Sequence, residues 1–184
     1  NAITYLRVNS NNSVTARTPA QVLTDLGISA NIILNRNFAD TSNVGTGVSQ
    51  IVYTVLIPAN TLQANDWISL RTFCRINGAA TTNVSVYLNT TPTIPVSSPV
   101  TIANLSLSSN QGGLYDRNFM ITSIGSSGVV KYFTGNALSH YTPLNNSAAT
   151  GTINTTADLY LVFGVNAPVG VTFVSNGNII QLTR

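Results

Sequence analysis

From Asn31 to the last residue, short β-branched and aromatic segments alternate with clusters of Gly, Pro, Asn and Ser, and no stretch of helical periodicity separates them. Val, Ile, Tyr, Phe and Thr suit a pleated, half-buried surface, and the punctuating residues suit tight turns. Candidate strands fall at 31–35, 48–57, 67–77, 83–89, 101–108, 114–124, 129–134, 158–166, 171–175 and 179–183. The alternation in Val84-Ser85-Val86-Tyr87-Leu88 predicts one buried face, and the run Leu159-Tyr160-Leu161-Val162-Phe163 fits a strand buried more fully. Parallel pairing would require long crossovers, usually helical, and the loops lack that pattern. The expectation is an all-β head at 31–184, an antiparallel β-sandwich of the jelly-roll kind. No internal repeat points to a propeller or solenoid.

Charge narrows what such a sandwich can do. Only 7% of the residues are charged, against roughly 25% in an average soluble domain. The acids are Asp25, Asp40, Asp66, Asp116 and Asp158, with no glutamate, and the net charge is +3. The arginines are spread along the chain, so no basic face is expected and nucleic acid is not an expected partner. Asn, Ser and Thr make roughly 35% of the positions and supply the polarity instead. No apolar run reaches the length of a membrane span, so membrane insertion is not expected. Neither a signal peptide nor an initiating Met precedes Asn1, which suggests a piece of a longer polypeptide. The lone Cys74 permits no internal disulfide and reads as a small buried hydrophobe.

Residues 1–30 differ in character. Segments 3–8 and 14–17 read as two short strands around an Asn/Ser turn. Thr18, Pro19 and Gln21 then form a capping box with proline at the first helical position, and Gly27 supplies the stop. The predicted helix carries an apolar stripe of Val22, Leu23 and Leu26. It is too short to be stable alone, so the stripe must pack either against other copies or back onto its own head.

The run Arg17-Thr18-Pro19-Ala20-Gln21-Val22-Leu23-Thr24-Asp25-Leu26-Gly27-Ile28, preceded by Tyr5-Leu6-Arg7-Val8, resembles a motif of bacteriophage tail fibres. There a strand pair leads through such a helix into the distal head. The similarity covers about a seventh of the chain. A looser resemblance to the heads of phage host-recognition proteins runs from Ile57-Pro58-Ala59-Asn60-Thr61-Leu62 into Asp66-Trp67. The resemblance implies a homotrimer in the virion. Residues 1–30 would be its stalk end, with Val22, Leu23 and Leu26 as trimer packing, and the head would bind a bacterial surface receptor, a saccharide. A structural jelly roll of the capsid or baseplate and a polysaccharide depolymerase are the alternatives.

Catalysis has little to work with. His140 is the sole histidine and lies outside any nucleophile-elbow pattern, and the five acids each fit a turn, cap or ion pair. One cysteine and one histidine cannot build a structural zinc site, and no Asp-x-Asp spacing suggests calcium. The expectation is therefore no enzyme, no cofactor and no metal. Counting strands assigns the loops to two ends. Loops 36–47, 78–82, 109–113, 135–157 and 176–178 share one end; 58–66, 90–100, 125–128 and 167–170 share the other. The longest and most polar loop, 135–157, offers Asn136, His140, Tyr141, Asn145 and Asn146 as candidate receptor contacts. Those residues could equally order the loop against a neighbouring subunit.

Overall fold

A computed structural model of the chain describes residues 5–8, 14–17, 31–94, 100–133 and 148–184. Near the N-terminus, β1 (Tyr5–Val8) and β2 (Val14–Arg17) pair antiparallel, Tyr5 opposite Arg17 and Val8 opposite Val14. The predicted helix with Val22, Leu23 and Leu26 lies outside the described residues. The head contains β3 (Asn31–Asn37), β4 (Thr41–Val44), β5 (Ser49–Ile57), β6 (Trp67–Asn77), β7 (Thr82–Asn89) and β8 (Val100–Leu107). It continues with β9 (Gly112–Ser123), β10 (Gly128–Phe133), β11 (Ala148–Ile153), β12 (Leu159–Asn166) and β13 (Thr172–Thr183). Among the described residues all regular structure is strand, and all pairing is antiparallel.

The strands of the head form two packed sheets. One runs β11–β10–β9–β6–β13–β3, with β4 also on β13; the other runs β5–β12–β7–β8. β3 pairs with the second half of β13 and β4 with the first half, so the two are one strand interrupted at 38–40. With that strand counted once, the orders β3/β4–β13–β6–β9 and β5–β12–β7–β8 are those of a jelly roll. The β10–β11 hairpin is an addition between β9 and β12 that widens the first sheet.

Side-chain period decides which face is buried. On β6, Ile68, Leu70, Thr72, Cys74 and Ile76 point inward, while Trp67, Arg71, Phe73 and Arg75 are exposed. The inner faces of both sheets meet in one cluster that includes Ile68, Leu70, Val86, Leu105, Phe119, Leu161, Phe163 and Phe173. β12 is buried on both faces, which is why its sequence is nearly continuous in apolar residues. Its outward Val162 and Gly164 are covered, the latter because Ile94 and Tyr87 approach where a side chain would stand.

Three sequence expectations change here. Residues 41–44, expected within the loop 36–47, form the short strand β4. Residues 148–153, read as part of a long loop, are an edge strand. Residues 176–178, read as a turn, are a bulge within the continuous β13. Gly177 adopts φ +102°, and a Cβ there would lie 2.9 Å from the Asn37 carbonyl oxygen, so glycine is required. The bulge is held from inside the core: the Thr72 hydroxyl donates to the Gly177 carbonyl at 2.9 Å, and Asn35 Nδ2 donates to Asn178 Oδ1 at 2.8 Å.

Cys74 is buried, as expected of a small hydrophobe, and burial pushes its thiol up to about 12. Burial likewise raises the Tyr53 and Tyr115 hydroxyls. An unfolded chain ionises its thiol near pH ~8.5 while the folded one keeps its proton, so unfolding releases protons in alkali. Stability is accordingly full below that pH and falls as pH rises toward 12. In thermal melts, Cys74→Ala should show a shallower alkaline decline than the parent. Equal slopes would remove Cys74 from the account.

Candidate functional site

The topology sorts the connections onto two ends. The head begins and finishes at the near end, where Thr183 pairs with Asn31 and with Trp67. Connections 58–66, 124–127 and 154–158 lie there, tied by bonds such as Asn60 N–H to the Thr155 carbonyl at 2.8 Å and Thr155 N–H to the Gly125 carbonyl at 3.0 Å. At the far end sit 45–48, 78–81, 108–111 and 167–171. Gly45 N–H donates to the Val171 carbonyl at 2.7 Å, and Asn110 N–H donates to the Gly78 carbonyl at 3.1 Å. The unrecognised strand β11 is the reason this differs from the sequence count: it moves 167–170 to the far end and leaves 154–158 at the near end. These four described far-end loops are short and tight, and they carry no charged residue.

The sequence-derived contacts Asn136, His140, Tyr141, Asn145 and Asn146 lie outside the described residues, between Phe133 of β10 and Ala148 of β11, which pair with each other.

The described carboxylates have structural partners or face solvent. Asp66 is buried and paired with Arg184, Nε to Oδ1 at 3.1 Å. Asp116 meets Arg71 Nε at 3.0 Å, and Asp158 Oδ1 accepts the Ala59 N–H at 2.9 Å. Asp40 is exposed in the β3–β4 interruption. Among the described residues, no three His, Cys, Asp or Glu side chains are grouped closely enough for a metal ion.

The two outer faces differ in charge, and both expose some apolar side chains, Leu56 and Ile51 on the edge strand β5 of the four-stranded sheet among them. On the seven-stranded sheet, cross-strand partners Trp67–Met120 and Phe73–Leu114 lie on either side of the Arg71–Asp116 ion pair. Phe73 is 59% exposed, Trp67 49% and Leu114 40%. On the four-stranded sheet, none of the four strands carries a charged residue. Its far half is a ladder of amides and hydroxyls, with Ser49, Asn166, Asn83 and Ser106 in one row across the sheet. Ser106 Oγ donates to Asn83 Oδ1 at 2.7 Å, and in the next row Ser85 Oγ donates to Asn104 Oδ1 at 2.6 Å.

Sequence reasoning passed over this ladder, although its signal was present. Asn83-Val-Ser85 and Asn104-Leu-Ser106 share one pattern, and antiparallel register sets the Asn of each opposite the Ser of the other.

No protein-family model matches the chain, and no curated protein matches it. Among solved structures, that of the Gt strain of infectious bursal disease virus is similar over 98% of this chain and 38% of the other, at 9% identity and a TM-score of 0.29. The chain thus spans well under half of that neighbour's length, and a likeness at this TM-score carries no argument about function.

Proposed function

We propose that the chain is the distal part of a bacteriophage tail fibre, a homotrimeric tip in the virion that binds a saccharide receptor on the bacterial surface. The observation that carries this reading is the 5–28 motif, whose two leading strands are β1 and β2 and whose Thr-Pro-Ala-Gln-Val-Leu run resembles the fibre motif residue by residue. The order of the head is compatible with it: Asn31, where the described head begins, lies at the near end, opposite the far-end loops. Mechanistically the tip works by non-covalent recognition multiplied by copy number, with avidity gains on the order of 10²–10⁴ when several sites engage together.

Val22, Leu23 and Leu26 form the trimer packing. Light scattering should give three times the 19.4 kDa chain mass, and Val22→Asp or Leu26→Asp should weaken assembly, because three carboxylates would be buried around one axis. A monomer at micromolar concentration would contradict the trimer. Receptor binding is tested by adding fluorescently labelled protein to a panel of bacterial strains. Saturable binding to some strains and not others is the expected result; binding to none would sink the reading.

A second reading, a structural jelly roll of the virion, is favoured by one feature. Trp67, Phe73 and Leu114, exposed on the outer face of the seven-stranded sheet with the half-buried Met120 beside Trp67, are the kind of apolar surface that a neighbour in a larger assembly would cover.

A further inference from the structure

Resting on the receptor-binding reading, we propose that the receptor site includes the outer face of the four-stranded sheet, and that its ligand is an electrically neutral saccharide. The four described far-end loops and all four strands of this sheet carry no formal charge, while the described charged residues of the head lie on the other sheet, at the near end or in the β3–β4 interruption. An anionic polymer would lose hydration here and meet no cation. A neutral saccharide presents hydroxyls that both donate and accept, and the ladder offers both.

The two serine bonds hold the amides in place. In each, the carboxamide oxygen of Asn83 or Asn104 is occupied by a serine proton, so the Nδ2 donors are left for a ligand while the serine oxygens keep accepting capacity. The four-residue row spans three strand spacings, about 14 Å, which is long enough to follow an extended oligosaccharide. Toward the near end the same face turns apolar, with Tyr87, Tyr160 and the Ile94 side chain over Gly164, a surface on which sugar rings can rest. A protein partner would be anchored by large exposed side chains at the centre of its patch; on this face the exposed Leu56 and Ile51 stand on the edge strand β5, whereas Trp67, Phe73 and Leu114 lie mid-sheet on the opposite face.

The test is native affinity electrophoresis of the 184-residue protein through gels containing dextran, mannan, galactomannan or a soluble β-glucan, with alginate, heparin and polygalacturonate as anionic counterparts. Retardation by a neutral polymer, unchanged between low and high salt, is expected. Asn83→Ala with Asn104→Ala should weaken it tenfold or more, and Arg75→Ala on the opposite face should not.

The isosteric pair Asn83→Asp with Asn104→Asp keeps the acceptor for each serine and removes the amide donors. It should lose binding equally while melting like the parent. Retardation by no neutral polymer, retardation only by anionic polymers, or full binding by both double variants would overturn the site. Labelled-cell binding separates the two levels of the argument. Strain binding that survives both double variants discards this face and keeps the receptor-binding reading, whereas a parent that binds no strain discards that reading itself.

Discussion

Phe163→Ala is expected to destabilise the head by about 4 kcal/mol, within the range for truncating a fully buried phenylalanine. For a chain of this size that lowers Tm by roughly 10 °C. The side chain is fully buried on β12, an inner strand of the four-stranded sheet. It stacks on Tyr53 of β5 with ring centroids 4.8 Å apart and planes at 15°. From the opposite sheet, Tyr115 meets it edge-on at 5.9 Å and Phe173 lies 6.3 Å away. Alanine would therefore open a cavity at the junction of the two sheets, where three rings lose a shared partner. Phe73→Ala, at an exposed position, should cost no more than about 0.5 kcal/mol. Calorimetry of the two variants side by side decides the matter. Comparable losses would mean that Phe163 is not central to the core.

Arg184→Ala should cost about 3 kcal/mol, although it alters the last residue of the chain. Its guanidinium reaches back to the 58–66 connection. Nε contacts Asp66 at 3.1 Å, and a terminal nitrogen donates to the Thr61 carbonyl. Asp66 is almost fully buried and also accepts the Gln63 N–H at 2.8 Å. Removing the arginine leaves that carboxylate buried without its cation, which costs more than the net worth of the pair. Adding Asp66→Asn should therefore recover part of the loss, giving a coupling of at least about 1 kcal/mol in a double-mutant cycle by chemical denaturation. Strictly additive effects would show that the two residues do not depend on each other.

Much of the head was legible because burial imposes a period of two. β6 and β7 alternate cleanly, and β12 reads as a strand buried on both faces, which it is. The two strands that escaped notice, β4 (Thr-Ser-Asn-Val) and β11 (Ala-Ala-Thr-Gly-Thr-Ile), have weak intrinsic preference for extended structure. They are extended because tertiary partners make them so: β4 completes the interrupted edge on β13, and β11 lies on β10 with Val100 packed where Gly151 has no side chain. Overlooking β11 exchanged the ends of later loops, since each strand reverses direction. Asn176-Gly177-Asn178 has turn composition, and the pairing with β6 that resumes on either side, together with the core bond from Thr72, distinguishes a bulge from a turn. The amide ladder was hidden for a different reason. Asn and Ser are abundant everywhere in this chain, so their alignment becomes visible only once the register of β7 and β8 is known.

The most direct measurement of the central claim compares binding of the labelled protein to susceptible cells after two treatments. Periodate cleaves vicinal diols and destroys exposed saccharides, whereas proteinase K removes surface proteins. A tip that recognises a neutral glycan should lose binding after periodate and keep it after protease, at low and high salt alike. Binding that survives periodate and disappears after protease would contradict the account.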